Sequence, residues 1–185
     1  LEEVYVSESF YKKEGEVIRQ VMKKSQAKLE ELSDSVFQYA SDTKTPQGIL
    51  CVVKQKHYTL SEVAQGDYPL LMVLERLQDP GNLGTILRTA EGAGVTGIIL
   101  SEDCVDLYNP KTIRSTMGPV YRMPFVYVPD LANALETLKE MGIKSYAAHL
   151  GGVHDYDEED YVEPCAFLIG NEAVSYTHLR AHETR

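Results

Sequence analysis

The sequence predicts an α/β protein in two parts, the second built on a parallel sheet. Three observations predict it. From Leu70 onward, strand-like runs of five residues recur: 70–74, 96–100, 124–128, 144–148 and 165–169. The runs at 70–74, 96–100 and 165–169 carry little polar alternation, as expected of strands covered on both faces. Amphipathic stretches separate several of the runs, and strands alternating with helices imply parallel pairing through right-handed crossovers. A polar linker, Thr59 to Tyr68, divides this region from a first part of different rhythm.

The elements follow in order. Val4-Tyr5-Val6 reads as a short strand. Residues 14–31 favour one helix, with Val17, Val21 and the stems of Lys24 and Lys28 on one face and Ile18, Met22 and Leu29 close by. Val36, Phe37 and Tyr39 begin a second short element. Ser41 to Gly48 is a turn-rich loop that feeds the β-run 49–53. In the second part, a loop at 75–82 precedes a helix from Gly84 to Ala93 that ends at Gly94. Asn109 to Thr116 is helical, with Pro110 suited to a first turn. Asp130 is a good N-cap. Leu131, Leu135, Leu138 and Met141 mark the buried face of the next helix, which Gly142 ends.

Composition narrows the function classes. The formal net charge of -10 argues against simple nucleic-acid binding. Its distribution softens that objection: residues 1–66 hold nine Lys/Arg against ten Asp/Glu, with Lys12, Lys13, Arg19, Lys23, Lys24 and Lys28 in one stretch. That stretch is either an RNA-facing surface or a solvated helix face. Much of the acidity sits in the run 155–160, which reads as a solvated loop or helix start. No apolar run approaches the roughly 18 residues needed to span a bilayer. Leu1 to Tyr5 has no signal-peptide character. Cys51, Cys104 and Cys165 have no zinc or redox spacing and read as buried small apolar side chains of a reduced, cytoplasmic protein. His178 and His182 lack a third ligand, so no metal site is expected.

Two clusters carry chemistry. Leu74 to Ala90 reads as a buried strand, a tight loop and a helix start, with Asp79-Pro80-Gly81-Asn82-Leu83-Gly84 leading to Arg88. Free amides at that start, with Arg88 near them, suit an anion. A capped helix with a surface Arg fits the same residues. In the second cluster, the strand Phe167-Leu168-Ile169 runs into Gly170-Asn171-Glu172-Ala173. Ligands bind beyond the carboxyl ends of strands in open α/β sheets, and a Gly there allows close approach. An ordinary strand-to-turn exit again fits as well.

Together the clusters resemble the two leading motifs of the SpoU family of RNA ribose methyltransferases, within the SPOUT class. Ser41 to Ile49 is similar to the end of the small substrate-binding domain that many members carry. The resemblance runs from about residue 4 to Ala173. It implies a small L30e-like α/β substrate-binding domain over 1–62 and a SPOUT domain over 68–173, a parallel sheet with a deep trefoil knot. It implies S-adenosyl-L-methionine as cofactor, methyl transfer to a ribose 2'-oxygen of ribosomal or transfer RNA, and a homodimer. By motif, Asn82, Arg88 and Glu172 are the catalytic residues. Ala148, His149, Gly151, Ile169, Gly170 and Asn171 line the cofactor. Arg88 also meets RNA; in the first domain the RNA-facing candidates, read from charge alone, are Lys12, Lys13, Arg19 and Lys23, and a solvated helix face fits them equally well. For His149, a loop histidine with no role fits equally well.

The sequence departs from the family after Ala173. A third motif, resembling Ile-Pro-Met-x-Gly followed by Ser-Leu-Asn-Val, is expected there. Residues 174–185 instead read as a non-native tail, which predicts an incomplete knot and poor cofactor binding by this exact chain. A non-catalytic RNA-binding module of the same fold is the alternative reading. A nucleotide-binding protein of another kind is disfavoured by the absence of GxGxxG and GKS/T.

Overall fold

Ser7 separates the first strand from the first helix. Its backbone is extended and its hydroxyl accepts a hydrogen bond from the Phe10 amide at 3.2 Å, so β1 (Glu3–Ser7) turns directly into α1 (Glu8–Met22). The computed structural model describes residues 1–147, 158–159 and 161–170. The chain forms two compact units, Leu1–Lys56 and a second from His57 onward. Among the described residues, no helix is long and apolar enough to cross a membrane.

In the first unit, β2 (Lys28–Leu32), α2 (Asp34–Ala40) and β3 (Ile49–Val52) follow α1. The sheet order is β2-β1-β3, with β1 parallel to β2 and antiparallel to β3. Val4, Val6 and Ile18 form its core, with Phe10, Tyr11, Met22 and Leu29 packed against it.

This corrects the expected helix over 14–31. The helix stops at Met22, and residues 28–32 are a strand aligned from Glu3↔Lys28 to Ser7↔Leu32. Lys-Leu-Glu-Glu-Leu has helical propensity, but pairing with β1 overrides it. The expected face is also wrong. Val17 and Val21 are each 57 % exposed, while Gly15 and Ile18 are buried. Val17 and Val21 instead line an open apolar groove of about 280 Å³ with Val4, Phe10 and Ile49. Cys51 is exposed, against expectation, while Cys104 and Cys165 are buried; all three are free thiols.

Gly48 closes the first unit. It sits at φ +92°, and a Cβ there would lie 2.5 Å from Phe10 Cβ. Its carbonyl accepts from the Ser7 amide at 2.9 Å. Gly48→Ala meets both the left-handed backbone cost and the clash. It is expected to destabilise this unit by about 2 kcal/mol. An unchanged urea midpoint for the first unit's transition would refute that.

The second unit begins with α3 (Leu60–Val63), which stands inside the stretch read as a linker. Thr59 and Glu62 form a capping box, and Val63 is buried against the sheet. The sheet comprises β4 (Leu70–Glu75), β5 (Gly97–Ser101), β6 (Phe125–Val128), β7 (Lys144–Ala147) and β8 (Cys165–Gly170). Its order is β6-β5-β4-β8-β7, and every pairing is parallel.

Alternation along the strands fills two cores. Leu71, Val73, Ile99, Ala166 and Leu168 face α6 (Leu131–Glu140) and α3. Leu74, Ile98 and Leu100 face α4 (Pro80–Gly92), α5 (Pro110–Thr116) and a 3₁₀ turn at Pro119–Tyr121. Burying each Leu or Ile contributes roughly 1.5–3 kcal/mol relative to exposure, so β4 and β5 form a rigid base. On α6, Leu135 and Leu138 are buried as expected, but Met141 falls at the C-cap and is exposed. Residues that would thread a knot, like the stretch 174–185, lie outside the described residues.

Candidate active site at the ends of β4 and β8

The carboxyl ends of β4 and β8 lie side by side, with Glu75 opposite Gly170. Strand order reverses there: β5 and β6 lie on one side of β4, and β8 and β7 on the other. Such a reversal is where open α/β sheets bind ligands. Ile169 is 38 % exposed and Gly170 half-buried at this edge.

The loop leaving β4 is laced to the loop after β5. Arg76 has φ 53°, and its amide donates to Ser101 Oγ at 3.0 Å. Its Nε donates to Asp103 Oδ2 at 2.9 Å. The Leu77 amide donates to Cys104 Sγ at 3.3 Å, and the Val105 amide donates to the Leu77 carbonyl at 2.8 Å. The Gln78 side chain also donates to the Asp103 carbonyl. The Ser101 hydroxyl, and then Arg76, hold the Asp103 carboxyl below the usual carboxylate range. Farther along, Tyr127 Oη accepts from the Leu107 amide at 2.9 Å and donates to the Val105 carbonyl at 2.8 Å. Burial pushes this phenol up to about 12, so it stays neutral and keeps both bonds.

α4 starts earlier than the sequence reading placed it. Asp79 is the N-cap, Pro80 occupies the first turn, and the Asn82 amide donates to Asp79 Oδ1 at 2.7 Å. The protein's own carboxylate therefore takes an amide that an anion would need, and the capped-helix alternative describes this terminus. Asn82 is exposed in the first turn, and its side chain makes no hydrogen bond within the described residues. Arg88 is not near the helix start: it lies eight residues beyond Pro80, about 12 Å along the axis. It too is exposed.

α5 packs tightly on α4. A Cβ on Gly84 would overlap the Ser115 hydroxyl and come within 2.7 Å of the Ser115 carbonyl carbon. Ser115 Oγ donates to the Pro80 carbonyl at 2.9 Å. Past α5, Arg88 Nη1 donates to Met117 Sδ at 3.4 Å. Arg122 grips Glu91 through two bonds, Nε to Oε1 at 2.6 Å and Nη2 to Oε2 at 2.9 Å. That contact holds the Glu91 carboxyl below its ordinary range and raises Arg122.

Ile169 and Gly170 end β8 beside the end of β4, and the loop leaving β4 leads to Asn82 and Arg88 on α4. Ala148, His149, Gly151, Asn171 and Glu172 lie outside the described residues. Lys12, Lys13, Arg19 and Lys23 are exposed in the first unit. Arg19 stacks 5.6 Å above the Tyr11 ring and donates from Nε to the Gly15 carbonyl at 3.2 Å. Sequence reasoning missed Ser101, Asp103, Cys104, Met117 and Arg122. Each acts on a residue 25 or more positions away, where single-sequence periodicity carries no signal. Among the described residues, no group of His, Cys, Asp and Glu could hold a metal ion.

A profile described as RNA 2'-O ribose methyltransferase substrate binding matches residues 1–59. The chain is 33% identical over 143 residues to the 23S rRNA (guanosine(2553)-2'-O)-methyltransferase of Bacillus subtilis, covering 77% of this chain and 55% of that one. It is 44% identical over 90 residues to the mitochondrial rRNA methyltransferase 3 of Homo sapiens, covering 46% of this chain and 21% of the relative. The chain spans about half the length of the bacterial relatives it matches. An rRNA methyltransferase from Sinorhizobium meliloti superposes with a TM-score of 0.81 at 26% identity, covering 97% of this chain and 68% of that one. Its AdoMet-bound form superposes with a TM-score of 0.83. The SpoU rRNA Methylase family profile matches residues 69–181, more than half of the sequence, and the chain belongs to that family.

Proposed function

We propose that the protein containing this chain methylates a ribose 2'-hydroxyl of ribosomal or transfer RNA with S-adenosyl-L-methionine. The observation that carries this reading is the pairing of β4 with β8 at a strand-order reversal, with Glu75 beside Gly170. It sets the end of β4, from which the chain leads on to Asn82 and Arg88, beside the end of β8 at Gly170. The relatives' names and the AdoMet-bound neighbour support the same chemistry.

The described residues fit the cofactor. Gly170 has no side chain to exclude a flat ring, and Ile169 offers half-open apolar surface beside it. Such a mixture of backbone polar groups and apolar contact suits a nucleoside. In this reading Ala148, His149, Gly151 and Asn171 complete the cofactor contacts. When bound, the cofactor supplies an electrophilic methyl group on a positively charged sulfur.

The chain's own residues handle the hydroxyl. A guanidinium with pKa above about 12 is a reluctant base. Arg88 therefore binds RNA phosphate and stabilises the developing alkoxide. Asn82 and Glu172 orient the ribose, and the proton leaves to a neighbouring group or a water. Lys12, Lys13, Arg19 and Lys23 meet RNA phosphates from the first unit. A homodimer and a reducing, cytoplasmic setting belong to the same reading; the three free thiols support the setting. Sedimentation of the full-length protein tests the dimer.

The deciding experiment maps ribose methylation across total RNA from cells with and without the intact gene. Loss of methylation at a defined nucleotide is expected. An unchanged map, with RNA still bound by the purified protein, would establish the non-catalytic RNA-binding module instead.

A further inference from the structure

One stripe of α4 meets one short segment of chain. Gly84, Arg88 and Glu91 are spaced four and three apart, which places them on the same helical face. Ser115 fills the space at Gly84, Met117 Sδ meets Arg88, and Arg122 grips Glu91.

Met117 is a costly choice at its position. Its backbone is left-handed at φ 56°, ψ 29°, where Gly is the ordinary residue after a helix. Its side chain is 75 % exposed, so burial does not explain it. A strained, exposed residue of this kind points toward function. Its hydrogen-bonding contact is with Arg88. A thioether is a weak acceptor, so it supports the guanidinium without neutralising it.

The Glu91–Arg122 pair serves the same end. Glu91 lies one turn beyond Arg88 on the same face, the spacing at which a carboxylate and an arginine pair. Arg122 engages both Glu91 oxygens instead. The Arg122 side chain is 60% exposed and that of Glu91 33%, so the two-bond pair is partly solvated. Among the described residues, Arg88 has no carboxylate partner.

We propose that Met117 and the Glu91–Arg122 pair are positioning residues for Arg88. Met117 props the guanidinium, and Arg122 withholds the nearest acid on α4, so the charge of Arg88 stays available to RNA. This rests on the reading of Arg88 as the substrate-side catalytic residue.

The test uses the full-length protein and methyl transfer to its RNA, with melting temperature measured for every variant. Arg122→Gln frees Glu91 to pair with Arg88, and kcat/KM is expected to fall about tenfold. Adding Glu91→Gln to Arg122→Gln removes the competing acid, and the rate is expected to recover to within about twofold of wild type. A purely structural pair gives no recovery, since the double variant still lacks it. Met117→Gly relieves the left-handed backbone, so its melting temperature should hold or rise while the rate falls about tenfold. The inference is overturned by a double variant as slow as Arg122→Gln, or by a Met117→Gly enzyme of full rate. If Arg88→Ala keeps the wild-type rate, the underlying reading of Arg88 fails instead. If wild type methylates no RNA, the assigned activity fails and takes this inference with it.

Discussion

Gly84→Ala is expected to destabilise the second unit by about 3 kcal/mol or more, lowering its melting temperature by about 10 °C. The ground is steric. A methyl group at Gly84 overlaps the Ser115 hydroxyl and sits 2.7 Å from the Ser115 carbonyl carbon. A hydroxyl can rotate away, but a carbonyl carbon moves only with the backbone of α5. Separating the helices stretches the Ser115 Oγ to Pro80 carbonyl bond and strains the first turn of α4, where Asp79 caps the Asn82 amide. Stability and site geometry should therefore fail together. Gly92, the last residue of the same helix, is the internal control. A Cβ there meets nothing within 4 Å, so Gly92→Ala should stabilise by about 0.4–1 kcal/mol through the unfolded state. Calorimetric scans of the two variants decide the matter. A Gly84→Ala protein that melts with wild type would show that α5 does not hold its place against α4.

The same contact shows why part of the site could be read in the sequence and part could not. Strands β4, β5 and β8 were legible because most of their residues are buried or half-buried, β5 throughout, so their apolar runs are unbroken. The start of α4 was also present in local chemistry, in the Asp79-Pro80 pair of N-cap and first-turn proline, although the reading began the helix at Gly84. Thr59 and Glu62 likewise spell a capping box inside a stretch read as linker. Other features have no local signature. Residues 28–32 are a strand because β1 lies beside them, and that partner is some 25 positions away in sequence. Glycine at 84 looks like a weak point in a helix until Ser115 is placed against it. Met117 looks like a surface methionine until its backbone and its contact with Arg88 are seen. The motif residues Asn82 and Arg88 were found by resemblance, whereas the groups that hold the loop before them and the guanidinium were not.

Arg88→Ala in the full-length protein is expected to lower kcat by about 10²–10³, as removal of one stabilising donor does where charge develops on oxygen. Arg88→Lys is the more informative variant, because it separates the two roles an arginine could have. If the guanidinium acts through its fork, holding a phosphate and the nascent alkoxide at once, a point charge on a flexible stem cannot replace it. The Lys variant should then lose at least about tenfold at every pH. If the residue acts as the base, the order reverses. An ordinary lysine titrates near 10.4, well below a guanidinium, so Lys would be the better proton acceptor. Its rate should then climb with pH and overtake the wild type. Arg88 is exposed, and among the described residues the group against its guanidinium is a thioether rather than a carboxylate. A flat, depressed pH–rate profile for Arg88→Lys is accordingly the expected result. A rising profile that meets the wild-type rate would assign the proton to this side chain and leave the alkoxide to be stabilised by another group.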